Sequence, residues 1–155
     1  MDTLAALRRL LAASSDPDNP SAEELQELLQ RMTRVAVIGL SRDPAKAARR
    51  VPSYLAAKGY EVVPVNPFAD RILGRDAHDT ITDVPDSVDV VVIFRPSAEA
   101  GTFVEEAARR TERPAIWLQQ GIRADEEIHV VRRDGLLAVQ DLCIYQVHRA
   151  LFTEA

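Results

Sequence analysis

Residues 34–44 read RVAVIGLSRDP, an almost unbroken apolar run that ends in a glycine and a polar loop. Such a run is typical of a strand that is buried on both faces of a parallel sheet. Four later segments repeat the pattern: YEVVPVN (60–66), VDVVVIF (88–94), AIWL (115–118) and LLAV (136–139). Helical patterns follow the strands, at about residues 47–58, 97–111, 126–134 and 144–152. This alternation predicts an α/β fold, a Rossmann-like, doubly wound, mainly parallel five-stranded sheet with helices on both faces.

The residues ahead of the first strand have a helical pattern of their own. The segment from Thr3 to Ala13 carries leucines at helical spacing, and Ser21 with Glu24 makes a capping box that opens a second helix. We therefore predict an N-terminal helical extension over residues 1–33 and a Rossmann-like domain over residues 34–155. The extension is expected to pack on the main domain, and docking of a second copy or another protein through its helices stays open.

Composition narrows the function classes. The 155 residues carry 19 Lys and Arg against 24 Asp and Glu, a formal net charge of −5 that disfavours nonspecific nucleic-acid binding. The single cysteine, Cys143, excludes an intrachain disulfide and a cysteine-based zinc site. No apolar run approaches the roughly 20 residues of a membrane span, and the N-terminus lacks the pattern of a signal peptide. We expect a cytoplasmic protein without membrane partners.

A basic cluster follows the first strand. Residues 42–50 carry four basic side chains against one acidic side chain, and the basic ones are Arg42, Lys46, Arg49 and Arg50. Gly39 permits a close backbone approach, Ser41 offers a hydroxyl group, and the start of the next helix attracts anions. The segment suits a ligand with several phosphates. The alternative is that Gly39 is only a turn residue and the basic side chains form a solvated helix face.

The strand ends define where a ligand is expected. Ligands of open α/β sheets bind beyond the carboxyl ends of the strands, near the point where the strand order reverses. Five segments occupy that edge and are expected to converge: residues 39–46, 66–70, 94–97, 119–122 and 140–143. The chain shows neither a metal-ligand spacing nor a G-x-S-x-G nucleophile elbow, so we assign no metal ligand and no catalytic residue. A binding protein is therefore favoured over an enzyme.

The loop after the first strand differs from that of a dinucleotide site. Such sites usually have G-x-G-x-x-G, with an Asp or Glu about 20 residues further on at the end of the second strand. Here no glycine follows Gly39 until Gly59, and the second strand ends in Asn66 and Pro67. An NAD(P)-binding Rossmann oxidoreductase remains the alternative, with the cluster around Arg42 as a site for a 2′-phosphate.

The same segments carry a family resemblance. The stretches VAVIGLSRDP (35–44), GYEVVPVNP (59–67) and IWLQQGI (116–122) resemble the small CoA-binding-domain proteins, which are related to the CoA-binding domain of the succinyl-CoA synthetase alpha subunit. The resemblance spans about residues 34–151. It implies a Rossmann-like domain that binds coenzyme A, with no established reaction of its own. Our first hypothesis is therefore a module that binds coenzyme A or an acyl-CoA without turnover and acts as a carrier, sensor or accessory module. A subunit of an acyl-CoA ligase-type complex is a further alternative.

The resemblance also implies which residues line the site. The residues that it places where the phosphates and the pantetheine arm enter are Gly39, Leu40, Ser41 and Arg42. Asn66 and Pro67 then lie beside the nucleotide. The third and fourth strand ends supply Phe94, Arg95, Gln119 and Gln120.

One position departs from the synthetase pattern. The synthetase has a Gly-Lys pair after the position of residues 66–67, whereas this chain has Phe68 and Ala69. Lys46 or Arg71 is expected to replace the phosphate contact of that lysine. The adenine is expected against residue 67 or 68.

The last candidate is Cys143, which follows the fifth strand near the expected end of the coenzyme's arm. A thiol at that place suits a mixed disulfide with coenzyme A. A buried, inert cysteine is the other interpretation.

Overall fold

The computed structural model describes residues 4–152, in which strands alternate with helices. The strands are β1 (Arg34–Ile38), β2 (Glu61–Val65), β3 (Arg71–Ile72), β4 (Arg75–Asp76), β5 (Val90–Ile93), β6 (Ala115–Leu118) and β7 (Ala138–Val139). The helices are α1 (Ala5–Ala13), α2 (Ala22–Arg31), α3 (Ala47–Ala57), α4 (Ser97–Ala108), α5 (Asp125–Arg133) and α6 (Ile144–Phe152). A short 3₁₀-helix spans Ile81–Asp83.

Five strands form one sheet in the order β2-β1-β5-β6-β7, and each neighbouring pair runs parallel. Ile38 at the end of β1 is level with Val65 of β2 and with Ile93 of β5. The chain adds β2 on one side of β1 and every later strand of this sheet on the other, so the strand order reverses between β1 and β5. The predicted Rossmann-like parallel sheet is confirmed.

Helices cover both faces of the sheet, because alternate residues of β1 face opposite ways. Val35 and Val37 enter the core shared with α1, α2, α3 and α6. Ala36 and Ile38 enter the core shared with α4, α5 and the 3₁₀-helix. β1 is therefore buried on both sides, as its continuous apolar run predicts.

The helices α1 and α2 belong to the first of these cores. Leu7, Leu25 and Leu28 are fully buried there, and burial of a leucine stabilises the fold by about 1.5–3 kcal/mol. The capping box is formed: the Ser21 hydroxyl accepts from the Glu24 N–H at 3.2 Å, and the Glu24 carboxylate accepts from the Ser21 N–H at 3.1 Å. Thr3, where the first helix is predicted to begin, lies outside the described residues.

The loop between α1 and α2 covers the carboxyl end of β7. The Asn19 side chain donates to the Gln140 carbonyl at 2.9 Å and accepts from the Gln140 N–H at 2.8 Å. The buried Asp16 carboxylate accepts from Arg132 and from the Gln140 side chain, each at 3.0 Å. Burial acts to raise the pKa of Asp16, but hydrogen bonds from Gln140, the Asp18 backbone and Arg132 outweigh it and hold the pKa below its usual value.

Two elements lie outside what the sequence analysis predicted, namely the β3–β4 hairpin and the 3₁₀-helix. The hairpin turns through Leu73 and Gly74, which have φ angles of 55° and 72°. Each of its strands has two residues, too few for a periodic pattern. Across residues 4–152, no helix combines the length and apolar character needed to cross a membrane.

Candidate functional site

A cleft of about 720 Å³ opens beyond the carboxyl ends of β1, β2 and β5. It lies where the strand order reverses, which is where open α/β sheets bind ligands. Eight residues that the sequence analysis placed in the site line it: Gly39, Ser41, Arg42, Lys46, Asn66, Pro67, Phe94 and Arg95. The structure therefore brings together the first three of the five segments expected at this edge.

Gly39 sits at the bottom of the cleft, where two strand ends approach closely. Its φ is +84°, in the left-handed region that favours glycine, and its N–H donates to the Val65 carbonyl at 2.9 Å. A Cβ at this position would lie 2.8 Å from the Phe94 carbonyl oxygen. The glycine is therefore required by the close approach of β1 to β5, and not only by the turn.

Hydrogen bonds within the loop from Ser41 to Lys46 fix its conformation. The Ser41 hydroxyl accepts from the Asp43 N–H at 3.0 Å, and the Asp43 carboxylate accepts from the Ala45 N–H at 2.9 Å. The Lys46 N–H in turn donates to the Asp43 carbonyl at 3.1 Å. These short-range bonds arrange the backbone that leads into α3.

Two cations in this loop are available to a ligand. Arg42 and Lys46 are exposed and line the cleft, and within residues 4–152 neither side chain forms a hydrogen bond or an ion pair. The backbone N–H groups of Ala47 and Ala48, in the first turn of α3, also form no hydrogen bond with the described residues. Free N–H groups at a helix start attract anions, and the cations beside them add to that attraction.

The other basic side chains of the neighbourhood are already engaged. Arg49 donates to the Ser53 hydroxyl at 3.2 Å, and Arg50 donates to the Ala45 carbonyl. Arg95 forms an ion pair with Glu99 at 2.6 Å. Arg42 and Lys46 are therefore the side chains best placed to meet a phosphate.

The end of β2 forms the opposite rim. The Asn66 side chain donates to the Leu40 carbonyl at 2.9 Å and accepts from the Phe68 N–H at 2.8 Å, so it joins the two loops. Leu40 is fully buried and takes part through its backbone. Pro67 lines the cleft, and Phe68 is 85% exposed, a flat apolar surface at its rim.

Sequence reasoning missed part of the lining, which includes Asp79, Thr80, Phe103 and Glu106. Asp79 and Thr80 line the cleft because the residue before them, His78, lies beside the end of β2. There the Asn66 N–H donates to the His78 carbonyl at 2.8 Å. Phe103 and Glu106 project from α4. No local pattern marks these residues, because their position depends on packing between segments far apart in sequence.

Other expected residues lie elsewhere. Gln119 is buried, its side chain accepting from the Ile144 N–H at 2.9 Å and donating to the Cys143 sulfur at 3.5 Å. Gln120 is exposed and is not part of the cleft lining. Arg71 pairs with Asp76 on the hairpin at 3.0 Å, also outside the lining.

The β6–β7 half of the edge is closed by the chain itself. Asp141, with a φ of 52°, accepts from the Gly121 N–H at 2.6 Å and from the Ser15 N–H at 2.8 Å. Burial acts to raise the pKa of Asp141, but these backbone hydrogen bonds, with Arg123 nearby, lower it overall. Segments 119–122 and 140–143 are thus bound to each other and to the α1–α2 loop. Within residues 4–152, no group of three His, Cys, Asp or Glu side chains is placed to hold a metal ion.

Comparison with known proteins relates the chain to one protein family. Residues 33–149 match the family model described as a CoA binding domain. The uncharacterized protein YneT of Bacillus subtilis is 36% identical over 130 residues, which are 84% of this chain and 96% of that protein. The ADP-forming acetate–CoA ligase II of Archaeoglobus fulgidus is 33% identical over 95 residues, 60% of this chain but 14% of the ligase. A solved structure from Thermus thermophilus has a TM-score of 0.80 and 34% identity, covering 86% of this chain and 100% of that one.

Proposed function

The chain belongs to this family of CoA-binding-domain proteins, and we propose that it binds coenzyme A in the cleft beyond β1, β2 and β5. The observation that carries the proposal is the pair of cations, Arg42 and Lys46, which line the cleft without an ion-pair partner among the described residues. Coenzyme A carries a pyrophosphate and a 3′-phosphate. Two free cations beside open helix N–H groups suit such a ligand.

The two walls of the cleft suggest how the ligand is oriented. The phosphates lie at the Arg42 and Lys46 wall, and the adenine lies in the rest of the cleft, which Pro67, Phe68 and Phe103 of α4 line. The neutral pantetheine arm leaves the cleft past Phe94. Gln120 is exposed and stays available to that arm, whereas the polar atoms of Gln119 are engaged in the fold.

The proposed role is binding without turnover, as a carrier, sensor or accessory module in the cytoplasm. Sequence and site supply cations, hydroxyls and apolar walls, which are means of holding a coenzyme. The similarity to a small part of an ADP-forming acetate–CoA ligase supports an accessory role beside a ligase-type partner. The affinities for coenzyme A and for acetyl-CoA, measured on the same protein, show whether the ligand with a free thiol or the acylated ligand is preferred.

Isothermal titration calorimetry tests the proposal. Coenzyme A is expected to give saturable heat with one site per chain, while NADPH gives none at the same concentrations. An absence of heat with coenzyme A, while circular dichroism shows the protein folded, would contradict the proposal. Saturable binding of NADPH in its place would favour the oxidoreductase alternative.

A further inference from the structure

One face of α4 presents an aromatic ring and a carboxylate to the cleft. Phe103 and Glu106 are three residues apart, a spacing that places side chains on the same helix face, and both line the cleft while half-buried. Within residues 4–152, the Glu106 carboxylate forms no hydrogen bond or ion pair. The lone pairs of this carboxylate are therefore available to a ligand that supplies a hydrogen-bond donor.

The chemistry of the proposed ligand explains why a carboxylate stands in a cleft built for phosphates. A carboxylate only accepts hydrogen bonds, and it repels phosphate groups. The adenine ring has a flat surface that can stack on the Phe103 ring. Its 6-amino group can donate a hydrogen bond to the Glu106 carboxylate. Proteins commonly read bases by stacking combined with hydrogen bonds to the base edge.

The other carboxylates of the lining fit this role less well. Asp43 already accepts from the Ala45 N–H, and Asp79 is exposed to solvent, which competes for any donor. Ile81, which is fully buried in the adjoining 3₁₀-helix, adds an apolar wall to the lining beside Phe103.

We propose that Phe103 and Glu106 form the base-reading end of the cleft, and that the Glu106 carboxylate accepts a hydrogen bond from the 6-amino group of adenine. The inference rests on the proposed function, because it assigns a specificity to the same site. Arg42 and Lys46 then fix the phosphates, while α4 distinguishes a 6-amino purine from purines without that donor.

The test compares coenzyme A with an analogue in which unsubstituted purine replaces adenine. The two ligands have equal charge and similar stacking surface, so a merely electrostatic role of Glu106 changes both affinities equally. The wild-type protein is expected to bind coenzyme A about tenfold more tightly than the analogue, the loss typical of one charge-assisted hydrogen bond. The ratio is expected to fall to about one in Glu106→Ala and to an intermediate value in Glu106→Gln.

The matched control is Glu105→Ala, which removes the same charge from the neighbouring, exposed position of the same helix. It is expected to retain the tenfold preference. A wild-type ratio near one, or an unchanged preference in Glu106→Ala, overturns the base-reading role while leaving the proposed function standing. Failure of the wild-type protein to bind either ligand overturns the proposed function and this inference together.

Discussion

The backbone N–H of Ser41 donates to the carbonyl oxygen of Ala48 at 3.0 Å. In a regular helix that oxygen accepts from the residue four positions on, which here is Pro52, a residue without an N–H. The proline inside α3 thus leaves the Ala48 carbonyl free for Ser41. In this way a residue of the helix interior helps to fix the loop that carries Arg42 and Lys46.

Substitution of this proline is expected to loosen the loop. In Pro52→Ala, the new N–H competes for the Ala48 carbonyl, and the bond from Ser41 weakens. Loss of a bond worth about 1 kcal/mol makes amide hydrogen exchange at Ser41 faster by about fivefold. Ala57→Ser, at an exposed position of the same helix, leaves the Ala48 carbonyl alone and serves as the control. Equal protection of the Ser41 amide in all three proteins would count against this account.

Alanine substitutions at two glycines distinguish the cost of a left-handed backbone from the cost of a steric clash with a neighbouring strand end. Gly39 and Gly121 have φ angles of +84° and +83°, but a Cβ meets the Phe94 carbonyl at 2.8 Å only at Gly39, and nothing within 4 Å at Gly121. Gly121→Ala is expected to cost about 1–2 kcal/mol of unfolding free energy, the strain of a left-handed alanine. Gly39→Ala should cost at least about 3 kcal/mol, because the Phe94 backbone must also shift. Urea denaturation measures both, and equal losses would refute the close-approach argument.

Removal of the free cations is expected to weaken coenzyme binding. Arg42→Ala and Lys46→Ala should each raise the Kd for coenzyme A about tenfold, the loss expected for a charge-assisted hydrogen bond. Lys58→Ala, at the C-terminal end of α3 with its ammonium group over the Tyr54 ring, removes an equal charge and should change the Kd little. Titrations at several salt concentrations should show weaker binding as salt increases. Similar effects from all three variants would indicate net charge instead of a defined phosphate site.

The α1–α2 loop should make the stability depend on pH through Asp16. Because the folded-state pKa is lowered, the stabilisation by this carboxylate is present above its unfolded pKa of about 4 and is lost as the pH falls through the folded value. Asp16→Asn is expected to cost about 1–3 kcal/mol at pH 7, since Arg132 loses its ion-pair partner. The difference from the wild-type protein should narrow at pH 3.

The control for that experiment is Glu23→Gln, which breaks an exposed ion pair with Arg8 and should change stability by less than about 1 kcal/mol. Unfolding in urea at pH 7 and pH 3 gives all of these values. A gap between Asp16→Asn and wild type that is the same at both pH values would contradict the assigned role.

The sheet could be predicted because its signals are local. Each core strand is a continuous apolar run, and Ser21 with Glu24 marks the start of α2 by a pattern four residues long. The hairpin around Gly74 has no such signal, since its strands are two residues each. In the cleft, the basic loop and the residues after β2 could be predicted because each directly follows the end of a strand.

The remainder of the cleft depends on long-range packing. Phe103 and Glu106 reach it only because α4 packs on one particular side of β5, and Gln119 is held in the fold by the start of α6. The closure of the β6–β7 edge by Asn19 and Asp16 joins residues more than 100 positions apart. A pattern along the chain therefore predicts which segments lie at the carboxyl edge of the sheet. It does not predict which half of that edge stays open to a ligand.

A crystal structure of the protein with coenzyme A would show whether this cleft holds the ligand. We expect the pyrophosphate or the 3′-phosphate within hydrogen-bond distance of Arg42, Lys46 and the first N–H groups of α3, with the adenine on the α4 side of the cleft. Coenzyme A bound elsewhere on the protein, with this cleft left empty, would contradict the account.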